Sequence, residues 1–591
     1  MKTAHVIYFI ALFSVNNIFC DEKVEVKLNQ GILLGRVEQT LFLKNNYYAF
    51  KSFPYAEPPV GELRFQPPQP HKVWNGKYEA YKNKPTCIQF NSRMRLGEKF
   101  GLSGSEDCLY ISVYTPSLEG SAPVTVFDYN DNFRTGFNGT KTYSSDFFLE
   151  EGVVVVTISH RLGLFGYLST EDNVIPANNG LRDFILGLQW IKDNIIHFGG
   201  DPEKVTLMGN SGGAALINIL LYSEKAKGLF SAAVLQSGTA LETVYFYKNL
   251  KTKAFQLGVS LNITADDSVT LLQELQKLKA EQIQAKEVDI LLQGDSVDDR
   301  LVSLPFVPCV EKDNSDPVII TLPESAKIVN DVPVLIGLNS KEGMDLISHL
   351  LFDPTVLPTD ADQNLLQEPI RCNFRFDKKS AIYKRANQEV VEHYLADKSL
   401  HYNNLLEYAV YAGDVLHSYA INKAAKKLAS DLINPVYYYM FDFNGQLNEN
   451  SQYISKHSRY NTKHSGATVT DELCYLLFCV RNKLSYDQLM KTASEPTEFK
   501  VLRKMVRMWT NFFKHRNPTP HKQDYVLKDF TWEPINKNSS DVKYLHITKT
   551  LRMKNNPLGE RERFWDELLE RYKAMTVDGV VTGEDPNHEE L

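Results

Sequence analysis

Residues 204–230 read KVTLMGNSGGAALINILLYSEKAKGLF. The run KVTLMG has the short apolar and β-branched character of a strand, and the apolar spacing after Gly213 predicts a helix. Between them, Gly209-Asn210-Ser211-Gly212-Gly213 fits G-x-S-x-G. Small residues there permit a sharp strand-to-helix turn that lifts a serine hydroxyl above a sheet, with the following N–H able to face an oxyanion. Glycine and serine are common, so the pentapeptide draws its weight from the strand before it and the helix after it.

Outward from this turn the pattern repeats. GVVVVTIS at 152–159 is almost continuously apolar, as a strand covered on both faces should be. NNGLRDFILGLQWIKDNIIHFG at 178–199 places Leu181, Phe184, Ile185, Leu188, Ile191 and Ile195 at helical spacing. APVTVF (122–127), SAAVLQSG (231–238), VPVLIGLNS (332–340) and PVYYYMFDF (435–443) read as further strands. Strands alternating with helices predict an α/β fold, a large mostly parallel central sheet with helices on both faces. No internal repeat and no Gly/Ser- or Pro-rich linker divides the chain, so one large domain is expected, spanning 21–555.

Four stretches together carry a resemblance: FGGDPEKVTLMGNSGG (198–213), EDCLYISVYTP (106–116), FPYAEPPVGELRFQPPQP (53–70) and HRLGLFGYLST (160–170). In these the chain resembles the type-B carboxylesterase family, the cholinesterase-like branch of the α/β-hydrolases, from about residue 25 to about residue 550. The resemblance implies the α/β-hydrolase fold and a disulfide between Cys87 and Cys108. Four other mature cysteines, Cys309, Cys372, Cys474 and Cys479, allow three pairings. On a shared helix, Cys474 and Cys479 would point to different faces, which disfavours a bond between them.

Serine ester hydrolysis needs a hydroxyl, a base, a carboxylate that orients the base, and donors for the oxyanion. The resemblance puts the nucleophile at Ser211 and the acid at Glu342, in GLNSKEG (337–343). In the family the base is a histidine that follows G-x-x and precedes D-E-L. Here GATVTDEL (466–473) matches on both sides, and the histidine position holds Val469. Valine neither takes nor gives a proton. His464 and His457 are the neighbouring substitutes, and a base must come within about 3 Å of the serine oxygen.

The family's oxyanion glycines, H-G-G-G-F, align with Tyr129-Asn130-Asp131-Asn132-Phe133. The oxyanion-hole positions are thus Asn130, Asp131 and Gly212. Asn and Asp tolerate unusual backbone angles, so the loop can keep its course. Their side chains occupy space that glycine leaves open, and an Asp131 directed at the serine would oppose an oxyanion.

The ends carry addresses. MKTAHVIYFIALFSVNNIFC (1–20) has Lys2 and a short apolar run, as a cleaved signal peptide should. The run is shorter than the ~20 apolar residues of a bilayer span, and no later stretch qualifies. Residues 556–591 are expected to form a helix and a polar tail ending His588-Glu589-Glu590-Leu591, similar to the KDEL and HDEL retrieval signals. Asn138, Asn262 and Asn538 head glycosylation sequons. The 591 residues carry 65 Lys+Arg against 72 Asp+Glu, a net charge of −7, which argues against a nucleic-acid partner. No metal or cofactor motif appears.

These observations predict a carboxylesterase-like protein of the secretory pathway without the family's catalysis. It would bind an apolar small molecule or ester in the gorge, or a protein partner, in the ER lumen, and its C-terminus would engage the retrieval receptor. One alternative is a serine carboxylic ester hydrolase with residual activity through Ser211 and Glu342. Another is a secreted esterase-like adhesion protein.

Overall fold

A computed structural model describes residues 22–582 except 91–100, 137–141, 247–249, 288, 291–303, 312–313, 354, 356, 358–363, 461 and 463–465. The N-terminal signal candidate, the C-terminal tetrapeptide, Asn138 and His464 lie outside the described residues.

Among the described residues a 14-stranded sheet organises the chain. Its principal strands are β1 (Lys23–Leu28), β2 (Gly31–Gln39), β3 (Asn46–Pro54), β4 (Tyr110–Thr115), β5 (Ala122–Asp131) and β6 (Val154–Ile158). They continue with β7 (Gly200–Ser211), β8 (Ala232–Gln236), β9 (Val334–Asn339), β10 (Val436–Phe441), β11 (Lys543–Ile547) and β12 (Leu551–Asn555). The spatial order is β1-β2-β3-β4-β6-β5-β7-β8-β9-β10-β11-β12. From β6 to β11 every neighbour is parallel, and antiparallel strands close both edges.

Both faces are covered, which explains the unbroken apolar strands. Along β9, Val334 and Ile336 join one core while Leu335 joins the other, as the two-residue period of a strand requires. Helix α1 (Asn179–Asn194) and helix α2 (Gly212–Leu220) pack on the first face. Leu181, Phe184, Leu188 and Ile191 of α1 are buried there, with Ile185 half-buried beside them. A long helix, α5 (Thr497–His515), lays Met505, Trp509 and Phe512 against the second face.

Two further helices, α3 (Leu405–Gly413) and α4 (Tyr419–Asp431), are joined by a five-residue π-helical stretch, Asp414–Ser418. The last helix, α6 (Glu560–Ala574), inserts Trp565 into the core, where its indole N–H donates to the Tyr394 hydroxyl at 2.7 Å. Arg561 of the same helix reaches Asp414 in the π stretch at 2.6 Å.

Two disulfides are present. Cys87–Cys108 joins the pair that the resemblance implies, at a Cα separation of 4.9 Å. Cys474–Cys479 corrects the expectation from helical spacing, because the two do not share a helix. Cys474 lies in a 3-10 turn (Asp471–Tyr475) and Cys479 in a short strand (Phe478–Cys479), and the reversal between them brings their Cα atoms to 5.2 Å. Cys309 and Cys372 are free thiols. Asn262 and Asn538 are exposed. No helix among the described residues is long and apolar enough to cross a membrane.

Candidate functional site

The sequence-derived positions converge at the carboxyl ends of the central strands, where ligands of open α/β sheets bind. Ser211 ends β7 and begins α2 with φ 55° and ψ −122°, strained for a non-glycine residue. The turn needs its glycines: a Cβ at Gly209 would overlap the backbone of Gly213, and one at Gly238 the carbonyl of Ser211. The serine is 5% exposed. Strand register sets the 129–133 loop beside it, with Tyr129 opposite Asn210 and Asn130 opposite Ser211.

That loop keeps a turn, through left-handed Asn132 (φ 51°) and Phe133 (φ 59°). Its new side chains are engaged. Asn130 donates through Nδ2 to Asp128 Oδ2 at 2.7 Å, and its Oδ1 accepts the Phe133 N–H at 2.9 Å. The same Oδ1 lies over Gly212, close enough to overlap any Cβ built there. Asn132 Oδ1 accepts the Tyr245 hydroxyl at 2.8 Å, and its Nδ2 donates to Asp131 at 3.0 Å. Asp128 is also met by His160, whose Nε2 lies 3.2 Å from Oδ1. A backbone donor beside the serine is therefore spent on the loop's own asparagine.

Glu342 follows β9 and is buried. Its Oε1 accepts the Asn339 N–H at 2.7 Å, whereas its Oε2 is buried without a hydrogen-bond partner. Burial pushes its carboxyl up to about 7, against the opposing pull of His417 and the Asn339 N–H. Beneath the elbow, buried Glu472 accepts from Asn210 Nδ2 (3.1 Å), Gln236 Nε2 (3.4 Å) and Asn339 Nδ2 (2.7 Å). Burial and then the charge of Glu342 lift Glu472 to about 8.

The loop holding Val469 is docked against this acid. Lys341 N–H donates to the Ala467 carbonyl at 2.8 Å, and the Thr468 hydroxyl donates to the Glu342 carbonyl at 3.2 Å. Asn450 Nδ2 holds the Val469 carbonyl at 2.9 Å, and Asp471 Oδ2 accepts the Thr468 N–H at 2.9 Å. The framework around the base position is thus intact while its side chain is a half-buried valine. His457, on a helix at Asn450–His457, points its Nδ1 at the Tyr453 carbonyl (2.9 Å) and lies against the rings of Tyr453 and Phe352.

A different histidine enters the site from the π-helical stretch. His417 is buried, with Nδ1 3.3 Å from Glu242 Oε1. Burial opposes its charge, but Glu242, Glu342 and Asp131 overcome this and raise it to about 9. Packing fixes its place relative to Glu342, because Gly343 touches α3 so closely that a Cβ there would overlap the Ala409 carbonyl. Sequence reading missed His417 and Glu242. The available signals were one histidine inside the apolar run YAVYAGDVLHSYAI (408–421) and an acid following QSG at Gln236–Gly238.

Among the described residues one grouping has metal-ligand spacing, Glu449 with Cys474 and Cys479. Both sulfurs are held in a disulfide and so are not thiolate ligands.

Comparison with known proteins agrees with this fold. Esterase FE4 of Myzus persicae is 30% identical over 537 residues, covering 89% of each chain. Juvenile hormone esterase of Tribolium castaneum is 28% identical over 598 residues, covering 95% of this chain and 98% of the relative. The crystal structure of juvenile hormone esterase from Manduca sexta, with OTFP covalently attached, superposes with a TM-score of 0.73 at 24% identity, covering 93% of this chain and 100% of that one. Residues 22–565 match the sequence pattern of the carboxylesterase family. With a family match over residues 22–565 and a 30% identical relative covered over 89% of its length, the chain belongs to the carboxylesterase family.

Proposed function

We propose that this protein uses the carboxylesterase scaffold to bind an apolar small molecule, an ester or related acid, above Ser211 without hydrolysing it. The observation that carries the reading is Glu342 Oε2, a carboxylate oxygen buried without a partner, with Val469 in the adjoining loop. A triad acid exists to hold an imidazole N–H. Here the acid and its supporting loop persist and the imidazole does not. Without an adjacent base the serine has little nucleophilicity. The replaced loop points the same way, since Asn130 Oδ1, itself an acceptor, lies over Gly212, where an oxyanion would need donors.

The proposed setting is the ER lumen, with a cleaved signal at 1–20 and retrieval through His588–Leu591 by the receptor that reads such tails. Sequons at Asn138, Asn262 and Asn538 and two disulfides suit that compartment. A secreted adhesion role is the reading left if the tail does not retain the protein.

A second reading has one observation in its favour: the buried His417–Glu242 pair offers an imidazole from another element. Residual hydrolysis through Ser211 would need that ring neutral, and its carboxylate neighbours hold it as a cation at neutral pH. The deciding experiment is hydrolysis of short-chain aryl esters by the purified mature protein. A rate equal to that of Ser211→Ala supports binding without turnover. A rate well above it, abolished by His417→Gln, establishes the relocated base instead.

A further inference from the structure

The helix Leu250–Ser260 carries Phe255 and Val259 on one side, and Asn262, just beyond its end, continues the line at i, i+4 and i+7. Val259 is 71% exposed and Phe255 is half-buried, so this face is apolar and open to solvent. All three line a cavity of about 390 Å³, within the size range of small-molecule sites, about 300–1,000 Å³. Ile263 and Thr264 line it as well, and the fully buried Leu271 of the helix Ser268–Lys277 forms its floor.

The chain leaves the first helix through a closed cap. The Leu261 and Ile263 N–H groups both donate to the Gly258 carbonyl, at 3.0 and 2.9 Å, and the Asn262 N–H donates to the Val259 carbonyl at 3.0 Å. Asn262 itself takes the left-handed conformation, φ 59°, in which helices end on Gly or Asn. Asn262-Ile263-Thr264 is also an acceptor sequon, and its asparagine is exposed. The cap therefore holds a glycosylation nitrogen at an apolar cavity. Transfer from a lipid-linked oligosaccharide would join the anomeric carbon of N-acetylglucosamine to Nδ2, releasing the lipid pyrophosphate and one amide proton. That sugar keeps its hydroxyls at the ring's edge, so its faces present C–H groups, and its acetamide adds a methyl. C–H groups of this kind pack on the negative face of an aromatic ring.

We propose that this cavity seats the chain's own carbohydrate: the first N-acetylglucosamine on Asn262 packs on Phe255, Val259 and Ile263 and ties the helix Leu250–Ser260 to the helix Ser268–Lys277. Covalent attachment selects this occupant, because the sugar is bonded to a residue of the cavity lining. The assignment rests on entry into the secretory pathway and is independent of whether Ser211 is active. Asn538 supplies the contrast, since it stands in an exposed polar run, residues 536–540, where a glycan would project into solvent.

The experiment uses the mature protein purified from eukaryotic cells whose mannose trimming is blocked, with site occupancy read by glycopeptide mass mapping. Under native conditions, peptide N-glycosidase should release the Asn262 glycan more slowly than the Asn538 glycan. A sugar seated nine-tenths of the time should be released roughly tenfold more slowly, since only its undocked fraction is open to the enzyme. Val259→Asp, at an exposed position, should abolish that difference. Trimming with an endoglycosidase that leaves one N-acetylglucosamine should preserve the heat-denaturation midpoint. Thr264→Ala, which removes the acceptor, should lower it, and Thr264→Ser, which keeps the acceptor, should not. Equal release from Asn262 and Asn538, or a difference that survives Val259→Asp, would overturn the seat. So would a midpoint indifferent to Thr264→Ala. An unmodified Asn262 beside an occupied Asn538 overturns this inference alone, whereas a chain with no glycan at any sequon overturns the secretory setting with it.

Discussion

Glu342 folds back onto the strand that delivers it, its Oε1 accepting the N–H of Asn339 at 2.7 Å while Oε2 stays buried and unmet. Asn339 in turn spends its side-chain amide on Ser237 Oγ at 3.0 Å and on Glu472 at 2.7 Å. The acid is therefore held by the strand that delivers it, and the loop that bears Val469 docks on its carbonyl through the Thr468 hydroxyl.

Repair of the two altered parts should be cooperative. Val469→His alone is expected to raise aryl-ester hydrolysis little, although a positioned base is typically worth about 10²–10⁴-fold. The intermediate would still meet the Asn130 side chain, whose Oδ1 lies over Gly212. Replacing Tyr129-Asn130-Asp131-Asn132 by His-Gly-Gly-Gly restores donors worth about 10²–10³ each. The combined variant should exceed the product of the two separate gains, because both act on one transition state. Steady-state kcat/KM across the four proteins checks this, and strictly multiplicative gains would contradict it.

Stability should fall as pH rises through the neutral range. Glu342 and Glu472 have folded-state pKa values raised to about 7 and about 8 from the ordinary glutamate value of 4.5. Each favours the folded state fully below about pH 4.5, and the advantage is lost as pH climbs through the raised value. For Glu342 the two limits differ by about 3 kcal/mol. His417, raised to about 9, acts in the same direction between its ordinary value and about 9. Denaturation midpoints at pH 5.5 and 8.5 should therefore favour the lower pH, and Glu472→Gln should shrink the difference. A larger difference in that variant would refute the assignment.

Much of this was legible in sequence. The strand-to-helix turn at Gly209–Gly213 and the strand end that carries Glu342 were readable from local patterns, because a strand end sets the direction of the next few residues. His417 was not legible. It reaches Glu242 across 175 residues of sequence, and one π-helical stretch within otherwise α-helical spacing turns it inward. The Cys474–Cys479 pairing was misjudged for a related reason, since helical periodicity was assumed where the chain reverses.

The two disulfides should differ in weight. Cys87–Cys108 closes a loop of 21 residues and Cys474–Cys479 one of 5. In the chain-entropy account the longer loop stabilises more, about 3 kcal/mol for the first bond. Cys87→Ser with Cys108→Ser should lower the urea midpoint more than Cys474→Ser with Cys479→Ser. The reverse order would show that strain or local packing dominates.

Removing His588–Leu591 should transfer the protein from cell extract to medium, as expected of a chain held by retrieval. Pulse-chase of the full-length and truncated forms measures it directly. Equal retention of the two would eliminate the ER-lumen assignment and favour secretion for both.

The hold of Arg561 on Asp414 has a consequence for synthesis. Asp414 is buried and belongs to the stretch that delivers His417, yet its counter-ion arrives almost 150 residues later on the final helix. Until that helix is in place, Asp414 would be a buried charge without its guanidinium, which strongly disfavours closing the surrounding structure. The stretch that carries His417 is then completed only once α6 has docked, which makes this part of the site one of the last to form.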